Sequence, residues 1–449
     1  MNDHTNNSVP DDIHFSNRVV VKFYDQYKPG HSENAGTWRN ETDDSLWNII
    51  RTRFPTLRVH KLFISLPAEK ITELINKGKA LDPFYQPPDL LKYYMVSGDE
   101  KTDPDELINA LLKYEWVELS YIPGKKINPS SFAKSEPKYL LQDYFKPAPD
   151  GMDINYAWKL KGGKGNKKIK FIDIEQGWTL DVHRFHVEPL PLTGINKSEY
   201  RRHGTSVLEI IFGKETEEGT PGIVPEATGY VMSQWRPDGS PNEADAILTA
   251  ISYLGYGDVL LLESQSFHSC TENKLWPAEI HEANFQAIRL ATALGIIVIE
   301  AAGNGDLDTY TGNDLDEFEN NRKKILSPAS NDFNDSGAIL VAAATPGIPY
   351  AKMRGSNYGN RIDCFASGKP LGKLNGTSGA GAIIAGAAIA IQSIIESIHK
   401  MRLTPQQMRI IFSEDLYGTR SANGRTVDKI GVMPDLKKVI EQYLKIQPL

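Results

Sequence analysis

The spacing of apolar positions changes character near residue 150. Before that point short strand-like runs alternate with amphipathic stretches. "RVVVKFY" (18–24) reads as a strand, and a polar loop follows it. "DSLWNIIRTRF" then sets Leu46, Ile49, Ile50 and Phe54 at helical spacing, with Asp44 or Ser45 placed to cap. "RVHKLFISL" returns to strand character and "PAEKITELINKGKAL" to a short helix. "LKYYMVSG" predicts a strand. "DPDELINALLKY" predicts a helix with Pro104 in its first turn and acids at its N-terminus, and "WVELSYI" closes as a strand. Two strand–helix–strand passages over 18–122 predict a small α+β unit of ferredoxin-like type.

Residues 1–17 are polar and predict a disordered start. The stretch 123–150, "PGKKINPSSFAKSEPKYLLQDYFKPAPD", is rich in Pro, Lys and Ser and predicts a linker. From 151 to 449 continuous apolar runs alternate with helical patterns. The runs are "KIKFIDI" (168–174), "GDVLLLES" (257–264), "GIIVIEAAG" (295–303) and "GAILVAAA" (337–344). The helices are "GTSVLEIIFG", "NEADAILTAISYLG", "PAEIHEANFQAIRLATAL" and the Ala- and Gly-rich run after Ser378. Uninterrupted apolar strands separated by helices predict an α/β domain, a parallel sheet covered on both faces.

Composition narrows the function. With 449 residues the chain exceeds one ordinary core and suggests two domains. A net charge of −7 and no basic block argue against a nucleic-acid partner. Two cysteines form no disulfide framework or zinc pattern. The polar N-terminus lacks a signal-peptide pattern, and no uninterrupted apolar run reaches membrane-spanning length. The expected setting is the cytoplasm with no membrane partner, and leaderless export stays open.

In such sheets chemistry gathers where strands end. Asp173 ends "KIKFID", His203 opens "HGTSVLEII", and Ser378 opens the small-residue helix in "NGTSGAGAIIAG". Each alone is more often a cap or turn residue. Together, in the order Asp, His, Ser, they match one arrangement of the serine-nucleophile triad. An imidazole can take the hydroxyl proton, and a carboxylate can hold the imidazole in the right tautomer. Asn304 in "AAGNG" follows a buried strand, where its amide and the Ser378 N–H can face a developing oxyanion.

These blocks, "FIDIEQGW", "RRHGTSVLEIIFG", "AAGNG" and "NGTSGAGAIIAGAA", resemble those of the subtilisin-like serine proteases over about residues 150–440. The resemblance implies a subtilisin-like doubly wound sheet. It makes Ser378 the nucleophile, His203 the general base, Asp173 its supporting acid, and Asn304 with the Ser378 N–H the oxyanion hole. It implies a substrate channel lined by Glu263, Ser264, Gln265 and Ser266 and by Ala301, Ala302 and Gly303. It also likens residues 18–122 to the family's propeptide, an intramolecular inhibitor released by a cut in the linker. The partners implied are a protein or peptide substrate, the chain's own N-terminal domain, and a separate inhibitor or activator. Three departures stand out: "DIEQG" where the acid is commonly followed by Ser or Thr and then Gly, Ser206 where a second His is frequent, and Gly381-Ala382 where a hydroxyl residue and Pro are usual.

Several motifs compete. His183 and His186 lie three apart without a third metal ligand at a recognised spacing. The acidic stretch 305–320 lacks the spacing of an EF-hand loop, so no cofactor is expected, although calcium remains open; the same stretch would favour basic substrates if it flanked the specificity pocket. "GTSGA" misses the nucleophile-elbow pattern. The rival to an active endopeptidase is a silent or permanently latent binding protein on the same scaffold.

Overall fold

The computed structural model describes residues 17–26, 30–32, 37–39, 44–124, 142–181, 183–185, 190–214, 221–268, 271–370 and 374–447. The expected disordered start and most of the expected linker lie outside these residues.

The chain divides into two compact units, one of residues 1–64 and 88–125, the other of 65–87 and 126–449. The first unit holds β1 (Arg18–Phe23), β2 (Gly30–Ser32), β3 (Thr37–Arg39), α1 (Asp44–Arg53), β4 (Arg58–Lys61), β5 (Tyr93–Ser97), α3 (Pro104–Leu111) and β6 (Val117–Tyr121). Its main sheet runs β4-β5-β1-β6 with every pair antiparallel, and α1 and α3 bridge β1 to β4 and β5 to β6. That is the ferredoxin-like order the pattern predicts. Val19, Val21 and Phe23 alternate onto one face of β1 and pack with Tyr94, Val96, Leu107 and Leu111. Asp103 caps α3 by accepting from the Asp105 and Glu106 N–H groups, with Pro104 at the first helical position.

The helix α2 (Ala68–Leu81) departs from the expected boundaries, because residues 65–87 belong to the second unit. Its Gly78 lies where a Cβ would come 3.1 Å from Leu290 Cδ1, and Asp82 pairs with Arg289 at 2.5 Å. Ser65 is the polar anchor. Its N–H and Oγ donate to Asp245 at 3.0 and 2.5 Å, and its Oγ accepts from Arg236 at 2.7 Å. Arg236 and Asp245 are themselves buried and joined at 2.8 Å. A short polar residue ahead of an amphipathic helix therefore ties this segment into the larger unit.

The second unit is built on α4 (Ile154–Ala157), β7 (Lys170–Glu175), β8 (Leu190–Pro191), α5 (Arg201–Phe212), β9 (Thr228–Ser233), α6 (Glu243–Ile251) and β10 (Val259–Leu262). There follow β11 (Gln265–His268), β12 (Thr271–Pro277), α7 (Glu282–Ala293), β13 (Ile297–Ala301), β14 (Gly305–Asp306), β15 (Ile339–Ala344), β16 (Cys364–Ser367), α8 (Thr377–His399), α9 (Pro405–Ser413), β17 (Gly418–Arg420) and β18 (Val432–Pro434). The nine-stranded sheet runs β17-β18-β16-β15-β13-β10-β7-β9-β8, parallel throughout except for the β17–β18 pair. Each predicted apolar run is one of its central strands. A three-stranded antiparallel sheet, β11-β12-β14, adjoins in sequence.

The helix α8 carries the small-residue run. Residues Thr377–Ile395 are all buried, and a Cβ at Gly386 would lie 2.9 Å from Ile223. Its small side chains let it pack closely. Among the described residues it is the one helix long and apolar enough to cross a membrane, and its apolar window is wholly buried inside the protein.

Candidate active site

His203 is the third residue of α5 and is buried against the turn that follows β7. Gly204 permits this approach, since a Cβ there would meet the Gly177 carbonyl oxygen at 2.5 Å. The Thr179 N–H donates to Thr205 Oγ1 at 2.8 Å and fixes the same turn. His203 Nδ1 lies 2.6 Å from Glu175 Oε2, and Glu175 Oε1 accepts from the Gln176 N–H at 2.7 Å.

The acid against His203 is thus Glu175, where sequence order pointed to Asp173. Asp173 lies two residues earlier on the same face of β7, deeper in the sheet. Its Oδ2 accepts from Trp178 Nε1 at 2.7 Å and its Oδ1 has no hydrogen-bond partner among the described residues. Burial pushes its carboxyl well above the usual range, the Glu175 charge raises it further, and the Trp178 bond opposes both. The strand extends to Glu175, so the acid ends the strand instead of entering a lengthened turn. One signal was present: Glu175-Gln176-Gly177 has the acid two residues before Gly, as the family pattern does.

Ser378 is the second residue of α8, so its N–H has no carbonyl one turn earlier within the helix. Gly376 delivers the chain to this start at φ 115°, and a Cβ on it would strike Asn304 Oδ1 at 2.2 Å. Both constraints require glycine. Asn304 Oδ1 accepts from the Thr377 N–H at 2.9 Å and from Thr377 Oγ1 at 3.2 Å. With the oxygen so fixed, the Nδ2 donors face the other way and meet no acceptor among the described residues. The Asn304 N–H is held by Gln265 Oε1 at 2.8 Å. The amide donors, the first N–H groups of α8 and the positive end of its dipole form an arrangement able to stabilise an oxyanion beside Ser378.

The other expected residues separate into two groups. Gln265 and Ser266 lie on β11, which among the described residues is an edge strand paired with β12 alone. Such an edge can accept an added strand. Ala301 belongs to β13, in mid-sheet. The Ala302 N–H donates to the Val341 carbonyl and the Gly303 N–H to Thr377 Oγ1, so neither is free for a substrate. Glu263 and Ser264 are buried, with Glu263 beneath Ser378. In the acidic stretch, Asp314 and Asp316 pair with Lys429 at 2.9 and 3.1 Å, and Asp306 accepts from the N–H groups of Asp308 and Thr309. Three of its acids are thereby committed. His183 is described; His186 lies outside the described residues.

The model of the subtilase family matches residues 180–423, more than half of the chain. The match starts after β7, so the acid of the site lies outside it. The major intracellular serine protease of Bacillus subtilis strain 168 is 26% identical over 242 residues, covering 51% of this chain and 68% of that one. Among solved structures, fervidolysin from Fervidobacterium pennivorans, described as a keratinolytic enzyme related to subtilisin, is 14% identical with a TM-score of 0.50. That alignment covers 93% of this chain and 59% of the other. The prenylagaramide maturation protease PagA is 20% identical with a TM-score of 0.46, covering 64% of this chain and 96% of its own.

Proposed function

The chain belongs to the subtilase family of serine proteases, and on that premise we propose that it hydrolyses peptide bonds through a Glu175–His203–Ser378 triad. The observation that carries this reading is the 2.6 Å contact between Glu175 and His203 Nδ1. A carboxylate there holds the Nδ1 proton and leaves Nε2 as the base that takes the Ser378 hydroxyl proton. Ser378 attacks the peptide carbonyl, and the oxyanion rests on Asn304 Nδ2 and the Ser378 N–H. His203 then protonates the leaving amine, and water releases the acyl group. The substrate adds as a strand along β11, through backbone hydrogen bonds.

A fluorophosphonate probe tests the chemistry. Wild type should be labelled, whereas Ser378→Ala and His203→Ala should not. A folded wild type that stays unlabelled after limited proteolysis removes the hydrolytic reading.

Control by the N-terminal unit is the second half of the proposal. Its ferredoxin-like topology supports a propeptide role. Intact-mass measurement of wild type and Ser378→Ala decides the source of any cut: self-processing shortens wild type alone, and an outside protease shortens both.

A further inference from the structure

Glu263 is 2% exposed, and neither carboxyl oxygen has a hydrogen-bond partner among the described residues. It follows β10 directly. The parallel register pairs Leu261 with Asp173 and Leu262 with Ile174, so Glu263 falls beside Glu175 on the face that also carries Asp173. The helix α8 covers this face. A Cβ at Gly381 would lie 3.2 Å from Glu263 Oε1 and 3.6 Å from Leu261 Cδ1. Ser378 precedes Gly381 by three residues and projects from the same side of the helix. The departure at Gly381 thus coincides with a carboxyl group, Glu263, lying next to the position its missing side chain would occupy.

Three buried acids therefore face the nucleophile and its base. Glu175 is matched by His203. Asp173 and Glu263 pair with no cation among the described residues. Burial pushes the Glu263 carboxyl well above the usual range and the Asp173 charge raises it further, while the Ser378 hydroxyl opposes the shift and Glu175 adds to it. The titratable groups that face Glu263 are Asp173 and Glu175 from β7. The buried part of α8 contains no ionisable side chain. A neutral carboxylic acid has one O–H to donate, and this face offers it the Ser378 Oγ.

We propose that Glu263 is a positioning residue for the nucleophile: a neutral acid, seated in the space above Gly381, whose O–H holds the Ser378 oxygen so that the serine proton points at His203. This rests on the hydrolytic reading above. When Glu263 ionises, its carboxylate becomes an acceptor and draws the serine proton away from His203. The enzyme then has an upper pH limit, where activity falls as Glu263 deprotonates.

The test is the pH profile of kcat/KM on a fluorogenic peptide for wild type, Glu263→Gln and Glu263→Leu, each checked for folding by near-UV circular dichroism. The Gln amide donates in place of the acid but cannot ionise. It should keep neutral-pH activity within about 5-fold and lose the alkaline limb. Leu removes the donor, and kcat should fall about 10-fold with KM unchanged. An alkaline limb that persists in Glu263→Gln, or an undiminished kcat in Glu263→Leu, overturns the proposal. If neither variant folds, Gly381→Ala presses on Glu263 Oε1 and should shift the alkaline limb; an unmoved limb overturns the proposal as well. Fluorophosphonate labelling of wild type separates the two readings. Labelled wild type with coincident profiles refutes the role of Glu263 alone, whereas unlabelled wild type refutes the hydrolytic reading with it.

Discussion

Replacing Glu175 by Gln removes the carboxylate from a 2.6 Å contact in which both partners are no more than 5% exposed. A hydrogen bond to a charged group contributes up to about 3 kcal/mol net, which is roughly 150-fold in rate. The amide does more than remove charge. Its NH2 can face Nδ1, which moves the ring proton to Nε2, where the imidazole cannot accept from Ser378. The equivalent carboxylate-to-amide change in another serine protease lowers kcat by about 10⁴, or roughly 5.4 kcal/mol. Glu175→Gln should therefore lower kcat by about 10²–10⁴ with little change in KM. Asp173→Asn retains an acceptor for Trp178 Nε1 and leaves the Glu175–His203 contact in place, so its kcat should fall by less than about 10-fold. Steady-state kinetics on a peptide substrate, with melting curves to verify folding, compares the two. A folded Asp173→Asn that loses as much as Glu175→Gln refutes the assignment and returns the role to Asp173.

Three further outcomes follow from the same geometry. Asn304→Ala should lower kcat by about 10²–10³; Asn304→Asp, which keeps the anchor for Thr377, should lose as much in kinetics but less in melting temperature if the donor is what matters. Asp173 is an acid whose folded pKa is raised, so its contribution to stability is full below the unfolded value near 3.8 and is lost as pH rises toward the folded value. Asp173→Asn should accordingly gain melting temperature over wild type at pH 8 and gain little at pH 4, and a gain independent of pH contradicts this. Asp245→Ala leaves the fully buried Arg236 without its carboxylate. It should cost about 3–5 kcal/mol in chemical denaturation, and a cost under about 1 kcal/mol would show that Ser65 and the carbonyl of Ser233 suffice.

The central strands were legible because β7, β10, β13 and β15 are continuous apolar runs between helical patterns. β9, β16 and β18 escaped notice for local reasons. Gly229 interrupts the first, Cys364–Ser367 is only four residues, and Pro434 ends the last. His203, Asn304 and Ser378 stand out in the sequence as candidates because each opens or follows a regular element. The acid was misread because Asp173 and Glu175 lie on one face of one strand, and strand periodicity does not say which reaches the next helix. The resemblance of "GDVLLLESQS" to the family's substrate-pairing strand implies a channel position for Glu263; the register that turns it under α8 is a tertiary fact. Residues 65–87 were assigned to the wrong unit because an amphipathic helix does not specify which core it covers.

Ser65 and Asp82 give that last segment a consequence for maturation. A cut between residues 125 and 141 would alter the covalent map of the protein and leave its internal packing as it was. The fragment ending at the cut still carries α2, and its departure would strip Ser65 from Arg236 and Asp245 and part Asp82 from Arg289. Nicking and dissociation are then separate events with separate clocks. The nicked protein should migrate as one particle in gel filtration while running as two bands under denaturing conditions.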